Sequence, residues 1–230
     1  MKIYSKILAV AFTVMVASSV QAQETETRKL GHFTKVHSGG SWEVVLEEGD
    51  AEEVRIEAKG VDLSKVKTEI DGDELELGLV KGNYRNVELK FYVTYTDLEG
   101  VGCSGSGDML VKSDVKAGDF RIGVSGSGGI TMQDLRADEL DASISGSAKI
   151  KIGGGVVGEA EVNQSGSGDF EAEDLAIDKL EVSKSGSGDT HVGELGEVSL
   201  RASGSGDVIY SGSPRMGNIQ VSGSSSIRKR

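Results

Sequence analysis

Cysteine, proline and tryptophan each occur once in this 230-residue chain, and aromatic residues amount to 5%. A lone thiol, Cys103, excludes an internal disulfide and a cysteine-rich metal site, which leaves it the role of a small apolar wall residue. With no cysteine near the amino terminus, a lipid anchor has nothing to attach to. A single proline and no Gly-X-Y period exclude a collagen helix. Positive charge is in deficit: 25 Lys and Arg face 37 Asp and Glu, a net charge of −12. A chain without a basic surplus has no counterion-release term to hold DNA or RNA, so nucleic-acid binding is excluded. The hydrophobic fraction of 37% is low for a globular core but does not impose disorder. What is abundant is glycine, at 33 residues, about twice the roughly 7% of ordinary proteins. Each interior glycine costs a helix about 1 kcal/mol, so helix-rich folds fit poorly.

Residues 1–22 have the three parts of a secretory signal peptide. Lys2 and Lys6 form the positive end, Ile7 to Ala17 an apolar stretch too short to span a bilayer, and Val20-Gln21-Ala22 the cleavage site before Gln23. No later segment is apolar enough to cross a membrane. Removal of the leader leaves 23 positive against 37 negative side chains, or −14. The expected product is exported, to the periplasm, cell surface or extracellular space, with no transmembrane segment in its mature form.

The dominant feature is an internal repeat. Ser-Gly-Ser-Gly, or a close relative, begins at Ser104, Ser125, Ser145, Ser165, Ser185, Ser203 and Ser222, at spacings of 21, 20, 20, 20, 18 and 19 residues. This period is too short for tetratricopeptide or ankyrin units, and no copy contains a helix-length apolar stripe. It predicts an all-β protein, a β-solenoid of about seven coils of ~20 residues, one coil per repeat. Apolar residues alternate on both sides of each tetrad, and counting by two carries the phase through it: Phe120, Ile122, Val124, Gly126, Gly128, Ile130, Met132. Because strand side chains alternate faces, this predicts both glycines inward, letting opposite walls approach, and both serines outward. The competing reading uses the glycines for positive φ in a tight turn. Preserved register favours the first reading. A second corner falls at Asp134-Leu135, Asp174-Leu175 and Glu194-Leu195.

Residues 23–30 read as a short linker and residues 31–100 as an amino-terminal β-rich cap on the solenoid of residues 101–230, with 31–230 one continuous domain. The cap has strand-like runs at Trp42–Leu46, Val54–Ala58, Leu75–Leu79 and Val87–Tyr95. Between them Glu48-Gly49-Asp50, Asp71-Gly72-Asp73 and Lys81-Gly82-Asn83 suit hairpins or meander connections. Ser38-Gly39-Gly40-Ser41 reads as a degenerate tetrad. Such a cap is expected because an open solenoid end exposes unpaired backbone groups; Ile227-Arg228-Lys229-Arg230 would blunt the other end with charge.

Gly153-Gly154-Gly155-Val156-Val157-Gly158 matches a dinucleotide fingerprint literally, but no helix has room to follow it, so it reads as a corner. The three histidines, His32, His37 and His191, lie in no recognisable triad motif, and no Gly-x-Ser-x-Gly elbow occurs. Trp42 shares the parity of Val44 and Leu46 and reads as core. Catalytic residues are therefore not expected.

Repeated Ser-Gly-Ser-Gly-Asp with the continuation Val208-Ile209-Tyr210-Ser211-Gly212-Ser213-Pro214, behind a secretory leader, resembles the bacterial family described as putative auto-transporter adhesin, head GIN domain. The resemblance runs from about Phe33 to the carboxyl end. It implies a β-helix-like fold found in secreted proteins of Bacteroidetes-type bacteria, and says little of activity.

The candidate ligand site is the pair of outward serine columns: Ser104 and Ser106, Ser125 and Ser127, Ser145 and Ser147, Ser165 and Ser167, Ser185 and Ser187, Ser203 and Ser205, continued by Ser222 and Ser224. All fourteen positions are serine. Stacked hydroxyls can donate and accept along a repetitive partner such as a polysaccharide or another envelope component. The expected function is a non-enzymatic, adhesin-like binding module; the alternatives are a polysaccharide-cleaving β-helix enzyme and a scaffold that self-associates end to end. A second candidate is Asp169, Asp189 and Asp207, which follow consecutive tetrads and stack about 4.8 Å apart. Ca2+ would relieve their repulsion, although Lys149 in the same column and the absence of a nonapeptide period favour solvated carboxylates.

Overall fold

The computed structural model describes residues 23–230; the expected leader at 1–22 lies outside the described residues. The chain runs through β1 (Glu24–Lys29), β2 (Lys35–Gly40), β3 (Glu43–Glu48), β4 (Glu53–Lys59), a 3-10 turn at Leu63–Lys65, β5 (Val66–Asp71), β6 (Glu74–Leu79) and β7 (Glu88–Tyr95). It continues through β8 (Gly100–Gly105), β9 (Asp108–Val111), β10 (Val115–Gly126), β11 (Gly129–Met132), β12 (Leu135–Gly146), β13 (Lys149–Ile152) and β14 (Gly155–Gly166). The last strands are β15 (Asp169–Ala172), β16 (Leu175–Gly186), β17 (Thr190–Gly204), β18 (Val208–Gly223) and β19 (Ile227–Lys229).

From β8 onward a long strand, a tetrad corner, a short strand and the second corner make one coil, and each coil pairs in parallel with the next. The register is the one the repeat dictates: Ser125 opposite Ser145, then Ser165, Ser185, Ser203 and Ser222. The fold is a β-solenoid of about six turns. The seven tetrads enclose six full repeats, which accounts for the difference from the expected seven. Phe120, Ile122, Val124, Ile130 and Met132 are all buried, and so are Leu135, Leu175 and Leu195 at the second corner. Gly153-Gly154-Gly155 is a corner leading into β14, with Gly155 at φ +120°.

The two glycine columns do different work, and the expectation that both point inward is corrected. The first glycine of every tetrad from Gly105 to Gly223 has positive φ, between +88° and +128°. The chain turns there, as the competing reading required. The turn still keeps register because the next serine continues the ladder: Ser147 N–H donates to the Gly126 carbonyl at 2.8 Å, Ser167 to Gly146 and Ser187 to Gly166. Only the second glycine lies inside. A Cβ on Gly128, Gly188 or Gly206 would sit 1.9 Å from the carbonyl oxygen of the glycine stacked beneath it. What approaches closely is therefore the adjacent coil, not the opposite wall.

The amino-terminal third is less separate than the sequence suggested. Gly39 and Gly40 lie opposite Ser104 and Gly105, and β3 pairs in parallel with β9, so β2 and β3 already form a rung. Two sheet extensions close the end beyond it. On one side β6 pairs with β2, and the Asp71-Gly72-Asp73 hairpin returns β5 antiparallel. On the other, β7 pairs with β3, β4 with β7, and β1 with β4. The segment 23–30, expected to be a linker, thus contains an edge strand, recruited through its backbone because Glu24–Lys29 has no apolar alternation to announce it. Glu48-Gly49-Asp50 and Lys81-Gly82-Asn83 are not hairpins: β3 and β4 flank β7, and β6 and β7 belong to different extensions. Phe33, Ile56, Leu75 and Phe91, all fully buried, fill the space between the extensions.

Candidate functional site

The first serine column lines a groove of about 1380 Å³ that runs along the solenoid from Ser104 to Ser222. Ser125, Ser145, Ser165, Ser185, Ser203 and Ser222 are exposed. Strand alternation sets a second outward column beside them: Gly123, Ser143, Asn163, Ser183, Arg201 and Gln220. The groove is therefore lined by small hydroxyl side chains with apolar residues such as Val124, Ile144 and Ala202 between them, and Arg121 and Arg201 add charge along the coils. Lys35, His37, Asp73 and Glu74 stand at its amino-terminal end. Among the described residues the one side-chain hydrogen bond made by a column hydroxyl is there, Ser104 Oγ to His37 Nε2 at 3.2 Å. The other hydroxyls are not spent on each other.

The second serine column does not join this groove. The turn at the first glycine carries Ser106, Ser127 and Ser147 around the corner into a separate hollow of about 720 Å³, shared with Trp42, Asp108 and Lys149. Trp42 is half-buried against the core, its ring over Gly40 and its Nε1 buried without a partner. On the far side of the groove lie acidic stripes, Asp141, Glu161 and Glu181 in one column and Glu139 and Glu159 in the next. A column of hydroxyls thus runs beside columns of carboxylates on the same face.

Beneath the serine face lies a polar layer that the sequence reading passed over. The inward position just before each tetrad is Cys103, Val124, Ile144, Gln164, Lys184 and Ala202, and Gln164 and Lys184 are only 6% and 5% exposed. Cys103, Gln164 and Lys184 each reach forward to a corner carbonyl. Cys103 Sγ meets the Gly107 oxygen at 3.0 Å; Gln164 Nε2 donates to Gly168 and Asp189 oxygens, both at 3.0 Å. Lys184 Nζ donates to the Gly188 oxygen at 2.5 Å and the Asp207 oxygen at 3.1 Å. Gln164 also accepts from the buried Thr190 hydroxyl. Burial pushes the Lys184 ammonium below the usual lysine range, against the upward pull of Asp189, Asp207 and Asp169; burial also pushes the Cys103 thiol up. The signal was in the phase: Leu180, Val182, Lys184 and Ala160, Val162, Gln164 each end an apolar alternation on a polar residue.

The aspartate column is a ladder. Asp169 Oδ1 accepts the Asp189 N–H at 2.9 Å, Asp189 Oδ1 the Asp207 N–H at 2.8 Å, and Asp207 Oδ1 the Ser226 N–H at 3.1 Å. Arg228 adds an ion pair to Asp207 at 2.9 Å, and the Ser226 hydroxyl and Arg228 hold its carboxyl below the usual range. Among the described residues no three His, Cys, Asp or Glu side chains are grouped to hold a metal ion. His191 sits 3.4 Å from Glu173, and His32 pairs with Glu52. His37 lies opposite Glu76, but that carboxylate is taken by Lys67, so among the described residues no acid is bonded to His37 behind Ser104.

The family described as putative auto-transporter adhesin, head GIN domain, matches residues 32–214. Among solved structures, a putative adhesin from Bacteroides fragilis superposes with a TM-score of 0.78 at 21% identity, covering 91% of this chain and 97% of that one. A putative adhesin from Parabacteroides merdae gives 0.67 at 17% identity, over 90% of this chain and 96% of its own. A putative lipid binding protein from Parabacteroides distasonis gives 0.62 at 23%, over 90% and 96%. These likenesses carry the fold. No curated protein matches the chain.

Proposed function

We propose, from the premise that this chain belongs to the putative auto-transporter adhesin, head GIN domain family, that it is an exported, non-enzymatic binding module whose ligand face is the serine-lined groove. The observation that carries this reading is the in-register stack of exposed hydroxyls from Ser125 to Ser222, none bonded to its neighbour. Each rung offers one donor and two acceptor sites, repeated about every 4.8 Å. A neutral polysaccharide with hydroxyls along its length matches that chemistry, and the flanking acidic stripes disfavour anionic polymers. Export is supported by the leader-like residues 1–22 and by the adhesin-like family. The non-enzymatic reading rests on the absence of an acid behind His37 and on the uniform corners, which build no loop-walled cleft.

A glycan array probed with residues 23–230, followed by titration of the hits, tests the reading. Binding of neutral glycans that is lost in Ser145→Val/Ser165→Val, with unchanged melting temperature, is the expected result. Binding that survives that double substitution removes the groove as the site, and release of cleaved product removes the non-enzymatic reading.

A further inference from the structure

The carboxyl-terminal rung has the composition and exposure of an interface. Met216 and Val221 occupy inward columns, opposite Val198 and Ala202 of the coil beneath, yet they are 46% and 41% exposed. Ile219, opposite the buried Leu200, is only partly covered. β19 pairs with residues 208–210, and among the described residues no strand pairs with the outer edge of β18 beyond them. An unpaired edge over exposed core residues is a template for another strand.

We infer that this rung is where two copies of the chain meet tail to tail, the outer edge of β18 in one copy pairing antiparallel with that of the other about a two-fold axis. Three observations select a second copy in this arrangement. The opposite end is built differently: its outermost strands, β1 and β5, are folded back antiparallel on β4 and β6 and are bridged by Arg28, which donates to the Val66 and Leu63 oxygens at 2.8 Å and to Thr68 Oγ1 at 3.0 Å, so it does not repeat the open parallel rung of the tail. The terminal rung, residues 208–230, contains no Asp or Glu, whereas residues 24–99 carry 18 acidic against 10 basic side chains. Three of its four cations are neutralised at home, Arg215 by Glu197, Arg228 by Asp207 and Arg230 by Glu173, and Lys229 bonds to the Ser213 hydroxyl, so two tails approach without the repulsion that keeps acidic bodies apart. The open edge of β18 beyond β19, residues 211–223, carries the exposed Met216 and Val221 at equal distances along the chain from the Asn218-Ile219 peptide, as a self-complementary strand pair requires. A two-fold axis perpendicular to the rod and passing near Ile219 turns this side onto itself, sets Met216 of each copy toward Val221 of the other, and closes the contact.

Sedimentation of residues 23–230 over a concentration series should show a monomer–dimer equilibrium and no larger species. Met216→Lys/Val221→Lys should shift it to monomer while circular dichroism stays that of wild type. Independently, Asn218→Cys, near the two-fold axis and remote from the buried Cys103, should form a disulfide-linked dimer on mild oxidation. A strict monomer at high concentration, an open-ended series of oligomers, or a dimer that keeps its stability in the double lysine variant would each overturn the inference. Ile219 to Ser222 also form the carboxyl-terminal end of the serine groove, so glycan binding is scored by the Ser145→Val/Ser165→Val variant, whose substitutions lie in mid-groove, and the two readings fail separately.

Discussion

At the amino-terminal end both main sheets of the solenoid are continued past the first rung, folded back antiparallel and joined by Arg28 over a core of Phe33, Ile56, Leu75 and Phe91. At the carboxyl end β18 stops with Met216 and Val221 in the open and only β19 beside it. Both ends inherit the same problem, because each rung of a solenoid satisfies its backbone and buries its side chains only through its two neighbours. One end solves it within the chain, at the cost of about sixty residues that break the repeat. The other leaves it to pairing between chains. The difference teaches that stability in this rod is graded, highest where a rung has packed neighbours on both sides and falling toward the end that lacks one.

The comparison is broken most directly by truncating one large residue at each end. Phe91→Ala, at 0% exposure, should cost about 3–5 kcal/mol, as for a buried phenylalanine that leaves a cavity. Met216→Ala should cost less than about 1 kcal/mol in the monomer, since roughly half of that side chain already faces solvent. Urea unfolding of both variants at low protein concentration decides it: comparable losses would mean that the ends are equally packed.

Much of this architecture is legible in the sequence because the tetrad fixes both period and register. The seven serines announce the parallel stack, and the alternation around them names the core from Phe120 to Val208. Two things are not legible. Whether a glycine in phase with the core turns the chain or lines it depends on the sign of φ, and both kinds of glycine look alike in a string of letters. That sign decides whether the two serine columns share a face, so only the first column of the expected site is in the groove. Strand β1 is invisible because an edge strand held by backbone pairing needs no apolar pattern. Lys184 and Gln164 are legible as polar residues in the core phase, at a position that is apolar in Val124, Ile144 and Ala202.

A smaller effect sharpens the contrast at the closed end. Arg28→Met keeps the length of the side chain but removes its donors to Val66, Leu63 and Thr68, leaving the two sheet extensions unjoined. The expected loss is about 1–3 kcal/mol, typical of hydrogen bonds from a charged donor. The readout should be local: amide exchange should quicken in β1 and β5 while β12 to β16 stay as protected as before. Uniform quickening along the rod would show that the closed end is not a separate unit of stability.

The smallest effect concerns the interior between the two ends, where Lys184 is buried beneath the serine groove and held by the Gly188 and Asp207 carbonyls. Burial lowers its pKa, with Asp189, Asp207 and Asp169 opposing the shift. The folded protein therefore releases this proton at a lower pH than the unfolded chain, whose lysines titrate at about 10.4. Between the lowered folded value and about 10.4 the unfolded state binds more protons, so this residue makes stability rise with pH across that window. Below the window the full cost of the buried charge is present and the contribution is flat. Lys184→Met removes the ionisable group but keeps a flexible side chain of similar reach, so its unfolding free energy should lack that alkaline rise. Chemical denaturation of both proteins from neutral pH to about pH 10 isolates the contribution as their difference, since every other titrating group is common to both. A difference independent of pH would mean that the ammonium is as well solvated in the fold as outside it, and that the polar layer beneath the serines is not a buried one.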